Sequence, residues 1–123
     1  MEKKCILIVE DEPDILALYK EFLESSGFEV DTADNGEDGL DKILEGDVDL
    51  VLLDIMMPKL DGIGVLQTIK DQKRKLPKTI MLTNLSHDSA LKEAEALGAR
   101  ECIIKSEVTP DKVLEKVNHL LET

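Results

Sequence analysis

The sequence predicts an α/β fold, a doubly wound five-stranded parallel sheet in the order 2-1-3-4-5 with helices on both faces. Three observations predict it. Five short apolar runs, at residues 5–9, 28–32, 50–53, 79–82 and 102–104, are rich in Ile, Val or Leu and too short for core helices. A segment with helical spacing and helix punctuation follows each run, and such alternation implies crossover connections and a parallel sheet. The runs also differ in kind. The first, third and fourth are continuously apolar, as in strands covered on both faces, whereas Phe28-Glu29-Val30-Asp31-Thr32 alternates and suits an edge. The fifth is short and flanked by Glu101 and Lys105, which suits the other edge.

The helices follow in order. Pro13 fits a first helical position, Ile15, Tyr19, Phe22 and Leu23 share a face, and Gly27 stops the helix. Asn35 can cap a second helix carrying Leu40, Ile43 and Leu44, with Gly46 near its end. Asp61 can cap a third carrying Val65, Leu66 and Ile69. Ser86 can cap a fourth carrying Leu91, Ala94 and Leu97, ended by Gly98. Thr109-Pro110 supplies a cap and first-turn proline for a fifth carrying Val113, Leu114, Val117, Leu120 and Leu121.

A length of 123 residues is that of one domain, taken here as 1–123, and 42% hydrophobic content places it among globular chains. The formal charge of −12, from 27 acidic and 15 basic residues, argues against direct binding of nucleic acid. No apolar run is long enough to span a bilayer, and Cys5 and Cys102 are too few for a disulfide framework. The expectation is a protein of the reducing cytoplasm. Lys70, Lys73, Arg74, Lys75 and Lys78 form one basic cluster, read as a helix end and solvated loop. His87 and His119 have no spaced ligand partner and read as exposed, and the two thiols as buried and unpaired.

Some acids stand where a solvating coat would not put them. The first strand runs into Glu10-Asp11-Glu12 and the third into Asp54. In the order 2-1-3-4-5 both ends meet at the switch point, where ligands of such sheets bind. Carboxylates brought together resist ionising, and a hard cation such as Mg²⁺ offsets that cost. Glu12 can equally be the acidic first turn of a helix. The fourth strand ends in Thr83, a hydroxyl donor, and the fifth in Lys105, a compact positive charge. Metal-holding acids, a hydroxyl and a lysine around one carboxylate form a constellation for handling a phosphoryl group, with the carboxylate as nucleophile.

These residues resemble the receiver domain of two-component response regulators, a CheY-like family with a flavodoxin-like fold. The resemblance rests on Ile6-Leu7-Ile8-Val9-Glu10-Asp11-Glu12, on Asp54-Ile55-Met56-Met57-Pro58 with Asp61-Gly62, on Ile80-Met81-Leu82-Thr83, and on Gly98-Ala99 with Lys105. It implies that Asp54 accepts a phosphoryl group from a phosphohistidine on a sensor histidine kinase or phosphotransfer protein. It implies that Glu10, Asp11 and Asp54, with the Met56 carbonyl, hold Mg²⁺, and that Thr83 and Lys105 engage the phosphoryl group. The resulting change in the helix 4–strand 5–helix 5 face is read by a downstream protein. Such a chain is a phospho-acceptor that promotes its own phosphorylation and dephosphorylation rather than an enzyme proper, and is a monomer or weak dimer. The helix surface near Pro13, Asp14 and Leu16 borders the site and is a candidate kinase-docking surface.

Three positions depart from the family pattern. Asn84 follows Thr83 where a small residue is usual, Cys102 stands where a switch Phe or Tyr is common, and Ser106 replaces the proline that commonly follows the lysine. A cis bond before serine costs about 3 kcal/mol, so a trans or strained bond is expected there. A degenerate receiver that only binds a partner is the main alternative. A Mg²⁺-dependent phosphohydrolase is disfavoured by Met56, where a second aspartate is wanted. A flavodoxin-like cofactor binder is disfavoured by Glu10-Asp11-Glu12-Pro13, which would repel a phosphate.

Overall fold

Each apolar run becomes a strand and each punctuated segment a helix in the computed structural model, which describes residues 3–84, 88–107 and 109–122. The order is β1 (Cys5–Val9), α1 (Pro13–Ser25), β2 (Glu29–Ala33), α2 (Gly36–Glu45), β3 (Leu50–Asp54) and α3 (Gly62–Asp71). There follow β4 (Lys78–Thr83), α4 (Asp88–Ala96), β5 (Glu101–Ile104), a 3₁₀ turn (Lys105–Glu107) and α5 (Pro110–Leu121). All strand pairs are parallel, in the order β2-β1-β3-β4-β5, as expected.

Alternation along the three inner strands divides the core in two. Ile6, Ile8, Leu50, Leu52, Ile80 and Leu82 face α1 and α5, meeting Tyr19, Leu23, Val113, Val117 and Leu120. Leu7, Val9, Val51, Leu53 and Met81 face the other way, against Ile43, Val65, Leu66, Ile69 and Ala94 of α2, α3 and α4. Side chains of this size, fully buried, each contribute about 1.5–3 kcal/mol by leaving water. The continuous apolar runs are therefore the strands that need helices above and below.

One strand begins later than its sequence suggests. Phe28 lies outside β2 because its amide donates to the Leu23 carbonyl at 3.2 Å, closing the end of α1. The sheet starts at Glu29, paired with Cys5. The caps mostly fall as expected: Asn35 Oδ1 accepts from the Asp38 amide at 2.9 Å, and Asp61 Oδ1 from the Gly64 amide at 2.7 Å. Thr109 is the N-cap of α5 by position, yet its side chain makes no capping bond, and Pro110 carries the start instead. Ser86 and His87 lie outside the described residues.

In this topology every helix C-terminus lies at the amino edge of the sheet, and the basic cluster gathers there. Arg74 Nη2 donates to the Leu44 carbonyl in the last turn of α2 at 2.9 Å, and Lys78 Nζ to the Leu120 carbonyl in the last turn of α5 at 2.6 Å. Two of the five cations thus cap neighbouring helices rather than their own. Cys5 and Cys102 are free, half-buried rather than buried, and on strands that are not neighbours. Burial pushes both thiols up, away from thiolate chemistry. Among the described residues no helix is long and apolar enough to cross a membrane.

Candidate functional site

The carboxyl edge of the sheet collects the polar strand ends. Asp54 is the last residue of β3, buried at 4% exposure, and registers against Leu82 of β4. Its Oδ1 accepts from the Met56 amide at 3.3 Å, and its Oδ2 accepts from Lys105 Nζ at 3.0 Å. Close packing fixes this strand end. A Cβ on Gly62 would stand 2.4 Å from the Asp54 carbonyl oxygen, so only glycine lets α3 begin directly above it.

Glu10, immediately after β1, is completely buried. Its amide donates to the Ala33 carbonyl at 3.0 Å, which fixes the backbone, and its Oε2 accepts from the Glu12 amide at 3.2 Å. Its Oε1 forms an ion pair with Lys105. Lys105, with only 5% of its side chain exposed, also lies 3.6 Å from the half-exposed Glu12 carboxylate. One ammonium therefore draws in three carboxylates. Asp11 is half-buried and has no hydrogen-bond or ion-pair partner among the described residues. Carboxylate oxygens of Glu10, Asp11 and Asp54 lie within 4.8 Å of one another, a group able to hold a metal ion.

The electrostatics follow from this crowding. Burial pushes the Glu10 carboxyl up to about 7, the Asp54 carboxyl adds to the rise, and Lys105 pulls the other way. Burial disfavours the Lys105 ammonium, but its hydrogen bonds to Glu10 and Asp54 outweigh that cost and hold the group above its ordinary range.

Thr83 ends β4, buried, one residue beyond the partner of Asp54 and opposite Ile104 of β5. Met56 presents its amide to Asp54 and exposes its side chain. All the strand-end residues singled out in the sequence thus come to one edge. Asn84 is exposed in the bend after Thr83, so its side chain points away from the packed interior. The bond between Lys105 and Ser106 is trans, since no cis peptide occurs among the described residues, and the chain enters the 3₁₀ turn at once.

Two contributors were not legible. Glu12 reads equally well as a helix first turn, and Tyr19 reads as core. The Tyr19 phenol is pushed up chiefly by burial, while Lys105 pulls it down and Glu10 pushes it up, so it lies within electrostatic reach of the site. A hydroxyl on an otherwise apolar helix face was the available signal, because a buried hydroxyl wants polar company.

A family model for the response regulator receiver domain matches residues 6–118. The chain belongs to that family. As a receiver domain it is 39% identical over 121 residues to the alkaline phosphatase synthesis transcriptional regulatory protein PhoP of Bacillus subtilis, covering 98% of this chain and 49% of that protein. It is 36% identical to the transcriptional regulatory protein ResD of the same organism, covering 94% and 47%. The receiver domain described here thus spans about half the length of these curated relatives. Among solved structures, TrrA of Thermotoga maritima in complex with Mg²⁺–BeF is 44% identical with a TM-score of 0.82, covering 95% of this chain and 98% of that one. A CheY-like receiver domain protein of Methanospirillum hungatei is 34% identical with a TM-score of 0.89, covering 98% and 95%.

Proposed function

We propose that residues 1–123 act as one phosphorylatable switch, in which Asp54 accepts a phosphoryl group from a phosphohistidine on a sensor histidine kinase or phosphotransfer protein. The observation that carries this reading is the Lys105 ammonium 3.0 Å from the buried Asp54 carboxylate, with the Glu10 and Asp11 carboxylates beside it. A buried ion pair ringed by further acids is a poor way to stabilise a fold and a good way to prepare for incoming charge.

The donor set fits Mg²⁺. It consists of hard carboxylate oxygens, Asp11 has no other partner among the described residues, and three carboxylates against one ammonium leave a local formal charge of −2. Glu10, Asp11 and Asp54 would hold the ion, with the Met56 carbonyl as a further ligand. Bound there, Mg²⁺ supplies positive charge to the oxygens of a phosphoryl group. TrrA, whose solved structure is a complex with Mg²⁺–BeF, supports the assignment by its similarity to this chain.

The chain's own residues then perform the transfer. An Asp54 carboxylate oxygen forms the O–P bond while the N–P bond of the phosphohistidine breaks. The imidazole nitrogen keeps the electron pair and takes up a proton. Lys105 follows the negative charge from the Asp54 carboxylate to the phosphoryl oxygens, and Thr83 donates a hydrogen bond to them. Because Thr83 ends β4 and Lys105 follows β5, their displacement biases the packing of α4, β5 and α5, the surface read by a downstream protein.

Incubation with Mg²⁺ and acetyl phosphate, followed by intact mass spectrometry, tests this. Wild type gains one phosphoryl group and Asp54→Asn gains none. Equal labelling of both, or no labelling of wild type under conditions that label a control receiver, rejects the reading.

A further inference from the structure

At the amino edge of the sheet, opposite the acidic crevice, a groove of about 320 Å³ opens between the end of α2 and the α3–β4 connection. Ile43, Leu44, Val48 and Pro77 form its apolar part, and Arg74 and Lys75 its cationic part. Lys70, in the last turn of α3, and Lys73, next in the chain to Arg74, are both exposed. Among the described residues Lys70, Lys73 and Lys75 form no ion pair, although acids outnumber bases 27 to 15 in the chain. No acid occurs between Asp71 and Asp88. The cationic wall from Lys73 to Lys75 thus carries no acid of its own, while Glu45 and Asp47 flank the opposite wall and Asp71 the end of α3.

Backbone strain adds a second, independent observation. The chain leaves α3 through Lys73 at φ 55°, with the Lys73 amide on the Lys70 carbonyl and the Arg74 amide on the Ile69 carbonyl, both within 3.0 Å. This is the left-handed helix stop that glycine usually supplies. Helices α1, α2 and α4 do end at glycines of positive φ, Gly27, Gly46 and Gly98. Only α3 puts a lysine there, in a conformation that costs an L-residue about 1–2 kcal/mol. Lys59 at φ 69° is the other non-glycine residue of positive φ among the described residues, and of the two only Lys73 closes a helix C-terminus next to the groove.

We propose that this groove docks an acidic, extended protein segment that inserts one apolar side chain between α2 and the α3–β4 connection while its carboxylates meet Lys73, Arg74 and Lys75. The apolar floor provides an anchor pocket and the lysines provide steering, the division of labour expected at a peptide site. Nucleic acid fits less well. The chain's net charge of −12 repels a polyanion at long range, and no aromatic side chain lines the groove for base stacking.

The test uses a fluorescein-labelled peptide of aspartate and glutamate around one central leucine, read by anisotropy and by amide chemical shifts of the protein. Expected is saturable binding at low ionic strength, with shifts centred on Leu44, Val48, Arg74 and Lys75. Lys75→Glu should weaken it about fivefold or more, and Lys73→Gly about two- to threefold while leaving the fold more stable. Replacing the leucine by serine should also weaken it. Asp54→Asn should bind like wild type, which separates this inference from the phosphoryl-acceptor reading. Absence of saturable binding, unchanged binding by both lysine variants, or tighter binding of a short DNA duplex than of the peptide overturns it.

Discussion

Lys105 owes its position to reach. Strands in a sheet stand about 4.8 Å apart, so β3 lies two spacings from β5 and β1 lies three. The lysine stem crosses above Thr83 to Asp54, and the long Glu10 side chain closes the remaining distance from β1. An aspartate at position 10 would be too short for this contact, which the sequence could not show because it depends on three strand ends at once. The raised Glu10 carboxyl has a measurable consequence in metal-free protein. Its folded value of about 7 lies above the ordinary 4.5, so the folded state holds the extra proton between those limits. Stability from this group is then present at low pH and is lost as pH rises from about 4.5 to about 7. In EDTA, wild type should lose at least about 1 kcal/mol relative to Glu10→Gln across that window, or several degrees in melting temperature. Parallel pH profiles for the two proteins would contradict this. Glu12 acts differently, being half-exposed and 3.6 Å from Lys105, so its pairing adds little stability. Glu12→Gln should melt within about 1 kcal/mol of wild type yet label faster with acetyl phosphate, because one negative charge at the mouth no longer repels an anionic donor. The gain should be about two- to threefold at low salt and should fade as salt screens the charge; a salt-independent rate change would show some other cause.

Elements were the most legible level, for a physical reason. Each strand announces itself by burial on two faces or one, and each helix by a stop or start residue with a local job, as Asn35, Asp61, Gly27, Gly46 and Gly98 show. What stayed hidden was longer in range. Phe28 looks like strand but spends its amide on α1, and Arg74 and Lys78 cap carbonyls 30 and 42 residues away in sequence. The end of α3 hid as well, because Lys73 occupies a glycine's place while reading as part of a solvated basic run. Lys73→Gly should relieve the left-handed strain and, after the added flexibility of glycine in the unfolded chain is counted, stabilise the protein by about 0.5–1 kcal/mol. For a domain of this size that raises the melting temperature by about 2–4 °C. Lys73→Ala keeps a Cβ in the same conformation and should gain far less. Equal effects of the two substitutions would mean that charge rather than backbone conformation sets the stability of this turn.

Across the whole molecule two charge clusters stand at opposite ends of the strands, although the amino edge also carries Asp47 and Asp49. The carboxyl edge, where helices begin, carries Glu10, Asp11, Glu12 and Asp54, and the amino edge, where helices end, carries the lysines around Arg74. Both placements agree with the helix dipoles. They leave two separable electrostatic costs in the metal-free protein, the mutual repulsion of a net −12 and the local repulsion of three carboxylates in one crevice. Monovalent salt screens the first but reaches the second poorly, since Glu10 and Asp54 are buried. A divalent ion bound among the acids acts on the second alone. Sodium chloride should therefore raise the melting temperatures of wild type and Asp11→Asn by similar amounts. With ionic strength then held constant and high, MgCl₂ at ten times its dissociation constant should stabilise wild type by a further 1.4 kcal/mol or so, about 5 °C. Asp11→Asn should gain little at the same concentration, because it lacks the open carboxylate of the group. If sodium chloride at matched ionic strength reproduces the whole magnesium effect, the ion is only screening the acidic surface, and the crevice is no metal site.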